Sequence, residues 1–197
     1  MRKYTFTFFY FIFFLFFLVI EACSPTASSK ENEKRYFDLA SFVQKQVDKL
    51  SKQSLLVEKK IYLDGKQQKI FSDSINWAKE LALFKEADVN SPSLVGSYDI
   101  KEDKQAHTLS YLAKEDRVKV REIQLVLGGD GSIENINVEE VKIVYAENNQ
   151  LYEISRKMSM KVKNEQLHAY TIQGFQKVVF KDSMVYEING IIKPKNQ

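Results

Sequence analysis

The rhythm of apolar and polar positions changes three times along the chain. Residues 8–20 are apolar without a break, inside an uncharged stretch over 4–20 that follows Arg2 and Lys3. Residues 24–34 (SPTASSKENEK) are small or polar and show no period. From 35 to 50 apolar side chains return every three or four positions (Tyr36, Ala40, Val43, Val47, Leu50), with Phe37 and Leu39 widening the stripe. That spacing predicts an amphipathic helix over 35–50 with Lys45, Gln46, Asp48 and Lys49 on its wet side. From residue 55 the period shortens to two. Leu55, Val57, Ile61 and Leu63 alternate on one face, and Asp64-Gly65 before 66–71 predicts a two-residue hairpin. Lys59, Lys60, Lys66 and Lys69 crowd this hairpin, a device that blunts an exposed sheet edge.

A second helix is predicted over 75–87, with N-cap chemistry in Ser72-Asp73-Ser74 and a stripe of Trp77, Leu81 and Phe84 beside Ala78. Asn90-Ser91-Pro92-Ser93 breaks it. Strand-like runs then follow over 95–100, 107–113, 118–127, 133–145, 151–162, 167–172, 175–180 and 184–188, separated by polar or glycine-bearing turns. Such short gaps favour antiparallel neighbours. The expected fold class is therefore α+β: two N-terminal helices packed on a large curled antiparallel sheet, an up-and-down meander. Element order and length alone resemble the open half-barrel of periplasmic lipoprotein carriers and of the outer-membrane lipoprotein that receives their cargo. Within 118–127 the apolar phase shifts from even (Val118, Val120) to odd (Ile123, Leu125, Leu127), and within 133–145 from Ile136 and Val138 to Val141, Ile143 and Tyr145. If Leu127 faces Ile133, both shifts fall at one height. This predicts a bend at Arg121–Glu122 and Glu139–Glu140 where the hairpin changes packing partner.

The first 23 residues carry the one sequence with a readable address. A basic start, an apolar run inside the 7–15 residues or so of a secretory h-region, and Ile20-Glu21-Ala22-Cys23 resemble a bacterial lipoprotein signal peptide with its lipobox. Glu21 departs from the small uncharged residue usual at its position. A spanning helix needs about 20 apolar residues, so an uncut anchor over 4–20 is the competing reading, and it places the body on the same side. The resemblance implies cleavage before Cys23 and a thioether-linked diacylglyceryl group on it. Residues 1–22 are then the signal, 23–34 a tether and 35–197 a single domain. The tether's eleven residues after the cysteine span about 18 Å r.m.s.. The protein would be exported and anchored to the cell envelope, with the outer membrane facing periplasm or cell surface as its address.

Cysteine count agrees with that use. Cys23 is the only cysteine of 197 residues, and in an exported chain a lone cysteine otherwise means intermolecular pairing or a reactive thiol. The 175 residues from Cys23 onward suffice for one core without disulfides. Eight of the fourteen phenylalanines fall in the signal, so whole-chain aromatic content overstates that core. Net charge beyond the signal is +2, with the signs interspersed and no basic stripe, which argues against a nucleic-acid partner.

Candidate chemistry is sparse. His107 and His168, the only histidines, lack metal-ligand spacing. Gly128-Gly129-Asp130-Gly131-Ser132 matches no phosphate-binding fingerprint and reads as a hairpin turn. Glu139 and Glu140 point to opposite faces of a strand. No G-x-S-x-G elbow marks a nucleophile; a hydrolase would need His107 or His168 in a cleft beside a serine and a carboxylate. The expectation is a non-catalytic protein without a cofactor, attached to a membrane through Cys23, that binds or scaffolds. One form of it is a carrier or receptor with an apolar small molecule in a cavity lined by Val118, Met158, Met160, Tyr170 and Tyr186. The other docks to a protein or cell-wall polymer through an exposed apolar patch.

Overall fold

A computed structural model describes residues 35–129 and 137–195. The signal-like segment, Cys23 and the tether lie outside the described residues, as do most of the glycine-rich turn and Ile133 and Ile136 of the strand expected after it.

Helix α1, Leu39–Leu50, starts later than its apolar stripe because Asp38 caps it, its Oδ1 accepting the Ser41 N–H at 3.0 Å. The two aromatics ahead of the cap are used as a plug. Tyr36 sits edge-on against Tyr98 and Tyr111 at 5.4 and 5.5 Å between centroids, and its N–H donates to Asn90. Leu39, Val43, Val47 and Leu50 are buried, the stripe that the spacing predicts.

The second expected helix is corrected to two short helical turns, α2 (Trp77–Glu80) and α3 (Ala82–Glu86), joined at Leu81. Ser72 is still in a strand, paired with Val57, so the cap passes to Asn76, which accepts from Lys79 N–H at 3.1 Å. Trp77, Leu81 and Phe84 do face inward. A 3₁₀ turn, Pro92–Leu94, follows.

Among the described residues nine strands form one antiparallel sheet: β1 (Leu55–Leu63), β2 (Lys66–Ser72), β3 (Tyr98–Asp103), β4 (Thr108–Ala113), β5 (Val120–Leu127), β6 (Val138–Asn148), β7 (Tyr152–Lys163), β8 (Gln166–Val178) and β9 (Met184–Pro194). Their order is β2-β1-β9-β8-β7-β6-β5-β4-β3, a meander from β3 to β9 with the first hairpin added beside the last strand. Among the described residues the sheet has two edges, β2 and β3, and does not close. The two runs expected over 167–172 and 175–180 are one strand, continuous through Gly174. Asp64 and Gly65 form the expected turn at φ 45° and 83°, and the Asp64 carboxylate also accepts from Val185 N–H.

The phase shifts in β5 and β6 correspond to register breaks at the expected residues but not to a change of partner. Arg121 is the extra residue between the pairs Val120–Tyr145 and Glu122–Val144, and Glu139 the extra one between Val126–Glu140 and Leu127–Val138. Leu127 faces Val138, so the breaks lie at opposite ends of the hairpin. Each bulge absorbs one polar residue and returns the next apolar side chain to the same buried face. A third, at His168 between Lys161–Ala169 and Val162–Leu167, does the same in β8.

One hydrophobic cluster joins the helices to this face, from Val57 and Ile192 through Tyr170, Met160 and Ile143 to Leu125 and Leu109. α1 packs against α3 and β8, and Gln46, expected on the wet side, is instead buried against β8, where it accepts the Leu167 N–H at 2.8 Å. Two glycines let tyrosines cross the sheet. A Cβ on Gly190 would stand 2.1 Å from the Tyr170 ring, and one on Gly174 would stand 2.9 Å from the Tyr186 hydroxyl.

Candidate functional site: a cleft at the end of the helical cover

One row of cross-strand partners on the buried face runs Val120, Tyr145, Arg156, Gly174, Tyr186, Leu63. The next row inward, Ile143, Met158, Ile172, Ile188 and Ile61, begins the apolar core. Between these rows and the α3–3₁₀ segment lies a cleft of about 560 Å³, inside the roughly 300–1,000 Å³ typical of small-molecule sites. Val118, Val120 and Met158 form its apolar side, with Leu83 and Leu94 opposite; Arg117, Lys119 and Arg156 bring positive charge to it, and Glu86 and Asp88 bring negative charge from the helical side.

A polar network stands beside the cleft. Glu147 accepts from Lys119 at 2.6 Å and from Tyr145 and Tyr152 at 2.7 Å each. Those three donors hold its carboxyl at about 2, well under the ordinary value. Tyr145 is pushed up to about 12, first by burial and then by its bond to Glu147. Arg156 Nε donates to the Tyr186 hydroxyl at 2.9 Å, and its guanidinium lies 5.3 Å from the Tyr145 ring centroid.

The five residues expected to line a cavity separate. Val118 and Met158 line the cleft. Met160 and Tyr170 are buried in the core, with the Tyr170 hydroxyl donating to Glu80, which also pairs with Lys59 at 2.6 Å. Tyr186 is half-buried and does not line the cleft; it is linked to it through the hydrogen bond from Arg156, which does. The histidines stay apart: His107 is in the turn before β4 at φ 51°, and His168 is exposed in its bulge, on a groove shared with Lys45 and Lys49 of α1. Neither imidazole hydrogen-bonds to a described residue, and no group of three or more metal-ligating side chains gathers among the described residues. Cys23 lies outside them.

Sequence reading missed Arg156, Glu147 and Tyr145. A signal existed for the first: Arg156 occupies the buried phase of a strand between Ile154 and Met158, where a charge is out of pattern. A second surface is apolar and open. Phe180, fully exposed at φ 63°, follows Val179, whose N–H donates to the carbonyl of exposed Leu151 in the neighbouring turn.

No family model matches the chain, and no curated protein or solved structure matches it. No helix among the described residues is long and apolar enough to cross a membrane.

Proposed function

We propose that this chain is a lipid-anchored protein of the cell envelope that acts by binding rather than catalysis, holding a small amphiphilic molecule in the cleft between α3 and β5–β7. In this reading the open sheet works as a half-barrel whose helices cover only part of the hollow. The observation that supports it is the cleft itself: Val118, Val120 and Met158 keep an apolar wall beside a half-buried arginine at the point where the helical cover ends. Cys23, fastened to acyl chains, would keep the domain at a membrane that stores such molecules; each buried methylene contributes about 0.8 kcal/mol to that hold. The test is native mass spectrometry of the full chain extracted from its membrane in mild detergent. An adduct of amphiphile mass that disappears in Val118→Trp is expected; a bare chain in every preparation refutes the reading.

A second reading, docking to another envelope protein, draws on the cluster of Leu151, Val179 and Phe180 at the hairpin tips. It predicts cross-linking from position 180 to one protein in intact cells, lost in Phe180→Ser.

A further inference from the structure

The identity of the ligand's polar end can be read from Arg156, an inference that rests on the cleft being a ligand site. A guanidinium carries five N–H donors. Only Nε of Arg156 is engaged, by Tyr186, which leaves the four donors on Nη1 and Nη2 without a partner among the described residues. Arg117 and Arg121, close by on the β4–β5 side, are paired with Glu115 and Asp116. Glu147, the carboxylate of the neighbouring network, already accepts from three other groups. Glu86 and Asp88 also line the cleft, but neither bonds to Arg156, and Asp88 already accepts from Ala40 and Asn90. A half-buried charge with no bonded counter-ion is costly unless something supplies one.

The arginine is also held still. Tyr186 reaches it across β8 over the bare backbone of Gly174, where any side chain would meet Ser155 O at 2.5 Å as well as the tyrosine hydroxyl. The Tyr145 ring lies against its guanidinium. Fixing the plane in advance lowers the entropic cost of a two-pronged contact, the geometry in which arginine grips carboxylate and phosphate.

We infer that the cleft takes an amphiphile with an anionic head, a carboxylate or a phosphate, gripped by the free edge of Arg156, with its apolar body against Val118, Val120 and Met158. Arg156 is the head-group residue, and Tyr186 and Gly174 position it.

The experiment is equilibrium dialysis of the full chain in nanodiscs, with empty nanodiscs as the blank. The probes are labelled decanoate, decyl phosphate, 1-decanol and decyltrimethylammonium. A charge-assisted pair contributes about 1.5–3 kcal/mol, so the preferred anion should bind about 10–100-fold more tightly than decanol or the cation. Which anion wins tells carboxylate from phosphate. Arg156→Met should erase that preference while decanol still binds, and Arg156→Lys should keep part of it. Equal affinity for anion and cation in the wild-type chain overturns the inference without needing any variant. So does an anion preference that survives Arg156→Met; in both cases saturable decanol binding leaves the cleft reading standing. Saturable binding of none of the four removes the cleft reading and the inference together.

Discussion

Gly190→Ala should destabilise the domain, although alanine is ordinarily the better residue in a strand. A Cβ at 190 would lie 2.1 Å from Tyr170 Cζ, 2.3 Å from Cε1 and 2.5 Å from the hydroxyl. Ordinary carbon contact is about 3.4 Å or more, so the ring or the strand has to yield by more than an ångström. The ring has nowhere to go. It is almost fully buried, edge-on to Phe84 at 6.5 Å between centroids, and its hydroxyl donates to Glu80. Expelling it would forfeit the burial of about 150–250 Å² of aromatic surface, about 4–6 kcal/mol at 25 cal/mol per Å². Shifting β9 against β8 is the cheaper response, and overpacking of this kind costs about 1–3 kcal/mol. Against it stands a gain of about 0.4–1 kcal/mol from the less flexible unfolded chain. The net expectation is a loss of about 1–2 kcal/mol, a fall in Tm of roughly 2–8 °C for a domain of this size. Urea unfolding followed through Trp77, the only tryptophan and a buried one, reads this as a lower midpoint at unchanged slope. In a Tyr170→Leu background the same substitution should cost little or even stabilise, because the ring it collides with is gone. A Gly190→Ala chain at least as stable as wild type would refute the idea that the glycine exists to admit the tyrosine.

Two further outcomes are expected. Glu147 has its carboxyl held at about 2 by Lys119, Tyr145 and Tyr152, so its contribution to stability is complete above about pH 4.5 and is lost as pH falls toward 2. The unfolding midpoints of wild type and Glu147→Gln should therefore differ most near pH 6 and converge near pH 2; a gap independent of pH would contradict the assigned bonds. Cys23→Ser should abolish incorporation of labelled palmitate and leave the chain uncleaved, running larger on a gel than wild type, and unchanged labelling and processing would remove the lipid anchor from the proposal.

Much of the strand content was legible because period-two alternation is local: each run needs only its own side chains to declare which face is buried. The Asp64-Gly65 turn and the bulge residues Arg121 and Glu139 were legible for the same reason, since a positive φ and a phase shift are both written in consecutive residues. The meaning of the shifts was not. A bulge and a change of partner leave the same trace in one strand, and only the pairing of Leu127 with Val138 distinguishes them.

The sequence by itself determined an amphipathic helix, a hairpin and a series of antiparallel strands. Tertiary structure alone decided that β1 closes against β9, more than a hundred residues away, that the second helix breaks at Leu81, and that β8 runs unbroken through Gly174. It also decided the candidate site. Arg156, Tyr186 and Tyr145 come from three strands, and they meet because a glycine between two of them removes the side chain that would keep them apart. Local pattern records what each residue prefers; which distant residue occupies the space a glycine leaves is settled only when the strands are laid side by side.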